Sequence, residues 1–380
     1  MAVAVAGRAR LRSGALERAV GQAAALGVAL GIALVAGSAL ILLYGANPLD
    51  VYRSILEASF GSATGVGYVV SIATPLIFSG LAVAVCFRAG IFNIGVEGQY
   101  LVAMVAAAWA ELSLGSLPGW LLVPAVLLAA MLGGMAWAAI PAVLKVRTGA
   151  HEVVTTIMLN GIAGSLVAWA INFPLRYVPP AGQNVDLRSR PFPEQGLVGD
   201  LGRFVGVSGG AHLSWLIFLA VAAAVAMWFV LRRTRLGYEA RAVGAAPGSA
   251  RAGGVLIGRV QIRLFLISGA LAGLTGMSQI LADKGHLPMN YISQLGFTGL
   301  SVAFLGQNNP IGIVFAALLW GVLSRGEVAL QISSAVPREF IIILQGILIL
   351  AVVVTYLIAR RRLAAREVAR AAAVDADGDA

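Results

Sequence analysis

Ten stretches of this chain run for about a dozen residues or more with almost no charge, and they limit what it can fold into. They fall near 22–44, 67–87, 99–113, 119–144, 152–173, 213–231, 264–282, 295–306, 311–325 and 339–359. A helix needs about 20 apolar residues to cross the hydrocarbon of a bilayer. Irregular backbone cannot face lipid, so each long run is expected to be helical. The run 295–306 is too short to cross alone and reads as a half-helix buried by its neighbours. With 59% hydrophobic and 12% charged residues, a soluble core could not hide so much apolar surface, whereas lipid solvates it directly. The expected class is an all-α polytopic membrane protein of about ten transmembrane helices, spanning 22–362.

The net charge of +10 would point to nucleic acid in a soluble protein. Here it is read by position instead. Arg8 to Arg18 precede the first run, which at about 23 residues exceeds a signal-peptide core of roughly 7–15 residues. It reads as a retained helix following a cytoplasmic segment, 1–21. With ten crossings and both termini inside, 19 of the 27 Lys and Arg fall on the cytoplasmic side, as the positive-inside rule requires. An odd count would place Arg360, Arg361 and Arg362 outside. Two polar segments remain: 174–212, rich in Pro, Gly and Arg, reads as an external loop, and 232–263 as the longest basic cytoplasmic loop. The tail 363–380 reads as a disordered cytoplasmic end.

Enzyme signatures are missing. There is no Gly-x-x-x-x-Gly-Lys-Ser/Thr, so ATP is not bound by a P-loop in this chain. His151, His212 and His286 are scattered without a metal-ligand pattern, and the one cysteine, Cys86, supports neither a disulfide nor a metal site. No cofactor is expected. Glycines spaced by four, Gly27 with Gly31 and Gly269 with Gly273, with Gly276 nearby, suit close helix contact.

The most informative segment is 88–99, RAGIFNIGVEGQ. It joins the second and third runs and carries Asn93, Glu97 and Gln99 among three glycines. A carboxylate beside hydrocarbon is expensive, so it pairs or faces a polar pathway. Glycines let the backbone unwind and present amides to a solute. Glu97 could equally interact with the dipole at the start of the third helix. The two roles are compatible. Asn160, in the middle of the fifth run, is the best of the other buried polar residues, ahead of Asn172, Gln279 and Asn290. Its amide can bond a neighbouring helix or a sugar hydroxyl. In the basic loop, Pro247 suits a first helical turn and Gly253 with Gly254 its end. That places Arg241, Gly244, Pro247 and Arg251 on or beside a short helix. Asn308 and Asn309 before Pro310 read as a turn between half-helices.

FNIGVEGQ resembles the most distinctive motif of permease subunits for nucleosides and simple sugars, within the branched-chain amino acid and ribose permease superfamily. TTIMLNGIA (155–163), LGYEARAVGAAPGSARAGG (236–254), SGALAGLTG (268–276) and GFTGLSVAFLGQNNPIG (296–312) are similar to the family's later motifs in the same order. The resemblance covers roughly 67–325. Gly161 stands where the family usually has Tyr, Tyr100 where Met is common, and Gln307 where a basic residue is usual.

The resemblance implies a type II ABC importer permease, with a pathway between two permease subunits and ABC ATPase subunits docked inside. It also implies a second permease that is a different chain and an extracytoplasmic solute-binding lipoprotein. Asn93, Glu97, Gln99 and Asn160 become candidates for the substrate pathway. Arg241, Gly244, Pro247 and Arg251 become candidates for coupling to the ATPase. The implied solute is a nucleoside, with a simple sugar or branched-chain amino acid as alternatives in the same superfamily. The membrane is the bacterial cytoplasmic membrane, and no nucleic acid is a partner. An ion-coupled transporter would need ionisable groups deep in the helices, and only Glu97 qualifies. A scaffold without transport would tolerate changes at Asn93 and Glu97.

Overall fold

The computed structural model describes residues 27–179, 187–199, 201–203, 213–289, 291, 294–333 and 339–378. The segment 1–21, His212, Asn290 and much of the 174–212 loop lie outside them. The described helices are α1 (Gly27–Leu43), α2 (Pro48–Phe60), α3 (Ala63–Phe87), α4 (Val96–Ser113), α5 (Gly119–Thr148), α6 (Glu152–Asn172) and α7 (Leu216–Arg233). They continue with α8 (Arg235–Ala245), α9 (Pro247–Ala252), α10 (Ile257–Gly273), α11 (Leu295–Leu305), α12 (Pro310–Ser333) and α13 (Glu339–Gly378). Each of the ten apolar runs overlaps one of these helices, although 22–26 lie outside the described residues and the run 264–282 continues past the end of α10. Five are long and apolar enough to cross a membrane, and six if α1 and α2, bent by 115°, form one span. Two others are broken or short: α10 ends at Gly273 and is followed by a π-helical turn, Gln279–Lys284, and α11 has 11 residues.

Two compact units divide the chain, Met1–Ile55 with Glu327–Ala380, and Leu56–Gly326. In the first, Gly37 of α1 lets Tyr52 and Leu344 approach, since a Cβ there would lie 2.8 Å from the Tyr52 hydroxyl. That hydroxyl donates to Leu34 O at 3.0 Å. Helix α13 runs on to Gly378, where the sequence suggested a disordered tail. The segment after 362 is rich in Ala, the strongest helix former, with Leu363, Arg366, Glu367 and Arg370 also favourable, and no Gly or Pro precedes Gly378.

In the second unit α3 is the central element. It contains no charged residue, and 83% of its most apolar window is buried, the pattern of a helix covered all round. By contrast the equivalent windows of α5, α6 and α7 are 28% buried and present apolar side chains outward, as lipid-facing helices do. The buried stripe of α5 carries Ala130, Gly134, Ala138 and Ala142 at spacing of four. It meets Gly269 and Gly273 of α10, where a Cβ on Gly269 would lie 2.6 Å from the Ala138 Cβ and one on Gly273 2.9 Å from the Ala130 carbonyl carbon. The Gly269/Gly273 pair is therefore a helix-packing seam. A Cβ at Gly27 or Gly31 would meet nothing within 4 Å.

Candidate functional site

The loop between α3 and α4 is fastened by its own amides. Gly90, at φ +70, turns the chain sharply. Asn93 Oδ1 accepts from the Gly95 N–H at 2.9 Å, an Asx turn that leads into α4. Asn93 and Gln99 exchange amide hydrogen bonds, Nδ2 to Oε1 at 3.3 Å and Nε2 to Oδ1 at 3.2 Å. Asn93 Nδ2 also donates to Ser268 Oγ at 2.8 Å, and Ser268 passes its own proton to Ala82 O at 2.6 Å. Asn93 and Gln99 are each 1% exposed, so the loop, α4, α10 and α3 are joined by one buried polar chain.

Glu97, in the first turn of α4, points away from its own helix end and holds another. Its Oε1 accepts from the Gln294 N–H at 2.7 Å and Oε2 from the Gly296 N–H at 2.8 Å. These are the donors that the start of α11 leaves without a partner inside the helix, where Gln294 is the N-cap with φ 71 and has no capping side chain of its own. The Tyr100 hydroxyl donates to Oε1 at 3.0 Å. A carboxylate against the positive end of a helix dipole is a stabilising placement. Contact is close because position 296 is glycine: a Cβ there would run into the Glu97 backbone.

Asn160 repeats the arrangement one helix over. The N-cap of α4 is Gly95, which has no side chain to offer. Asn160 Oδ1, from α6, accepts from the Gly98 N–H at 2.8 Å, and its Nδ2 donates to Ile94 O at 3.1 Å. The starts of α4 and α11 thus each have N–H groups satisfied by a side chain from elsewhere in the chain. Asn160 is half-buried, whereas Asn93, Glu97 and Gln99 are buried. Asn160→Ala should cost about 1 kcal/mol, the usual worth of an N-cap. A lower melting temperature in detergent checks this, with Asn160→Asp, which keeps the acceptor, restoring most of it.

Glu152 belongs to the same cluster and was not singled out by the sequence. It pairs with Lys145 at 2.6 Å across the α5–α6 turn, and its Oε1 reaches the Phe92 N–H at 3.5 Å. The available signal was a lysine in a chain that has only Lys145 and Lys284, seven residues before a glutamate. Among the described residues no group of three or more His, Cys, Asp or Glu could hold a metal ion.

The basic loop folds as α8 and α9, with Pro247 at N1 of α9, Gly253 as its C-cap and Gly254 at φ +81. Gly244 packs against the Arg88 carbonyl, where a Cβ would clash. Arg241 Nη1 donates to Leu231 O near the end of α7, so this arginine ties α8 back to the membrane helix. Pro247, Gly248, Ser249 and Arg251 are exposed and form the outward tip.

The profile of the family described as branched-chain amino acid transport system / permease component matches residues 65–353. The guanosine ABC transporter permease protein NupP of Bacillus subtilis is 37% identical over 336 residues, 87% of this chain and 93% of that protein. The glucose ABC transporter permease protein TsgB13 of Haloferax volcanii is 32% identical, covering 87% of each. The nucleoside ABC transporter permease protein NupB of Lactococcus lactis is 30% identical over 87% of this chain and 90% of that protein.

Proposed function

Because this chain belongs to the branched-chain amino acid transport system / permease component family, we propose that it carries a nucleoside inward as the membrane-spanning subunit of an ATP-driven importer. It is a multi-pass membrane protein and a transporter subunit, not an enzyme. The observation that carries the solute is the 37% identity to a guanosine permease along nearly its whole length. The geometry supports an uncharged cargo. A half-helix N-terminus in a membrane commonly receives an anionic group of the substrate, but at α11 that place is filled by Glu97. A solute bearing a carboxylate, such as an amino acid, would meet repulsion there.

In this reading the ten apolar runs cross or enter the bacterial cytoplasmic membrane with both termini inside. Asn93, Glu97, Gln99 and Asn160 serve the pathway by holding the broken starts of α4 and α11. Asn160 alone among them is open enough to touch solute as well. A second, different permease chain completes the pathway, and a solute-binding lipoprotein delivers the cargo outside. The exposed tip at Pro247 to Arg251 seats in the ATPase, whose cycle shifts the permease between outward- and inward-open states. A simple-sugar cargo is the second reading, favoured by the 32% identity to a glucose permease.

Radiolabelled guanosine and glucose uptake, in vesicles carrying this chain with its operon neighbours, separates these readings. ATP-dependent guanosine uptake is expected, lost in Arg251→Glu, which reverses an exposed charge at the tip and disturbs no internal bond. Uptake of glucose instead sinks the nucleoside assignment, and uptake indifferent to ATP sinks the importer.

A further inference from the structure

Four arginines converge on one cavity in the second unit. Arg88 at the end of α3, Arg232 and Arg233 in the last turn of α7, and Arg241 of α8 line a space of about 370 Å³, with Trp228, Leu231 and Pro310 completing the wall. No acidic side chain is among these lining residues. Arg232, Arg233 and Arg241 are exposed, so water and salt screen part of the repulsion among these like charges, and an anion seated between them is attracted by all four. The arrangement is held in place: Arg88 Nη2 donates to Asn308 O at 2.9 Å, Arg241 to Leu231 O, and the Arg232 guanidinium lies over the Trp228 ring, 5.3 Å from its centroid.

We propose that this four-arginine pocket holds the phosphate of an anionic phospholipid of the cytoplasmic leaflet. Guanidinium groups match phosphate oxygens in pairs. The depth also fits: α3 and α7 end here and α12 begins here, and an indole at this level marks the membrane–water interface. Trp228 and Leu231 give an apolar wall that suits the glycerol and upper acyl chain and gives a free phosphate ion nothing. The outer faces of α7 are open to lipid. The exposed tip of α9, proposed above as the ATPase contact, is not part of this lining, and on that reading an acidic residue of the ATPase is the less fitting occupant. The pocket joins the α3–α4 turn to α8, so bound lipid would stiffen the link between the capped helix starts and the coupling segment.

The main readout is bound lipid, which does not depend on the importer reading; only the last arm, on the assembled complex, does. The full chain, purified in detergent, is offered phosphatidylglycerol, phosphatidylcholine or inorganic phosphate, and retention is counted by native mass spectrometry. Phosphatidylglycerol is expected to be retained over phosphatidylcholine. The double variant Arg232→Gln/Arg233→Gln should weaken that retention roughly thirtyfold, from two basic groups at headgroup level. Arg232→Lys/Arg233→Lys should keep most of it. Arg259→Gln/Arg263→Gln, which removes two exposed charges outside the pocket, should keep it all. Equal retention by the first variant overturns the proposal. So does binding of inorganic phosphate without lipid, which would mark a soluble-anion site. Loss of the ATPase from the assembled complex with lipid retained would also overturn it, and would mark a protein-docking surface.

Discussion

Glu97→Ala is expected to reduce uptake to background while the chain still inserts in the membrane. The substitution leaves the Gln294 and Gly296 N–H groups and the Tyr100 hydroxyl without their acceptor. The Gly296 N–H is buried, and a buried donor left without a partner costs about 1–3 kcal/mol. Helix α11 has only 11 residues and cannot cross a membrane, so its start depends on Glu97 together with the Ser79 hydroxyl, which donates to Leu295 O at 2.8 Å. The packing of α11 on α3, through Gly299 and Ser79, is expected to loosen when the carboxylate is lost. Glu97→Gln keeps one acceptor oxygen and should fall between the variant and the parent. Uptake assays beside thermal melts in detergent read both effects. Wild-type uptake by Glu97→Ala would sink the brace.

Gly269→Leu is expected to prevent correct assembly altogether. A Cβ alone at this position would already meet the backbone carbonyl of Gly134 and the Ala138 side chain, and backbone cannot step aside as a flexible side chain can. Extra methylenes in a packed interior cost about 1–3 kcal/mol and more where backbone must shift. The α5–α10 seam would open, giving a polydisperse, protease-sensitive protein on size-exclusion chromatography. Gly161→Tyr is the contrasting case. A Cβ there meets nothing within 4 Å, so this larger substitution should leave folding intact.

Signals that act over a turn or two were legible in the sequence. Pro247 opens α9 and Gly253 with Gly254 closes it, as their φ preferences require. The cost of a carboxylate beside hydrocarbon marked Glu97, and the spacing of four marked the Gly269/Gly273 seam. Partners were not legible. Glu97 is 199 residues from Gly296, and nothing in either neighbourhood names the other. Arg241 and Arg251 looked equivalent as basic residues in one loop, and both are exposed, yet Arg241 is tied to Leu231 O while Arg251 stands at the tip of α9. The distinction is made by how α8 folds back on α7, a tertiary fact. Glu152 passed as a helix-start acid because its links to Lys145 and Phe92 depend on the α5–α6 turn.

The borrowed caps also set an order of events during synthesis. Chains are made and inserted from the N-terminus, so α4 enters the membrane before its cap exists. Asn160 is made 62 residues after Gly98, and α4 cannot settle until α6 arrives. Helix α11 meets the opposite situation, because the carboxylate it needs was made some 200 residues earlier and is waiting. The short helix, least able to stand alone, is the one that emerges onto a finished seat. A ribosome stalled between α4 and α6 would expose an unfinished helix start, and that interval is where a membrane chaperone would have most to do.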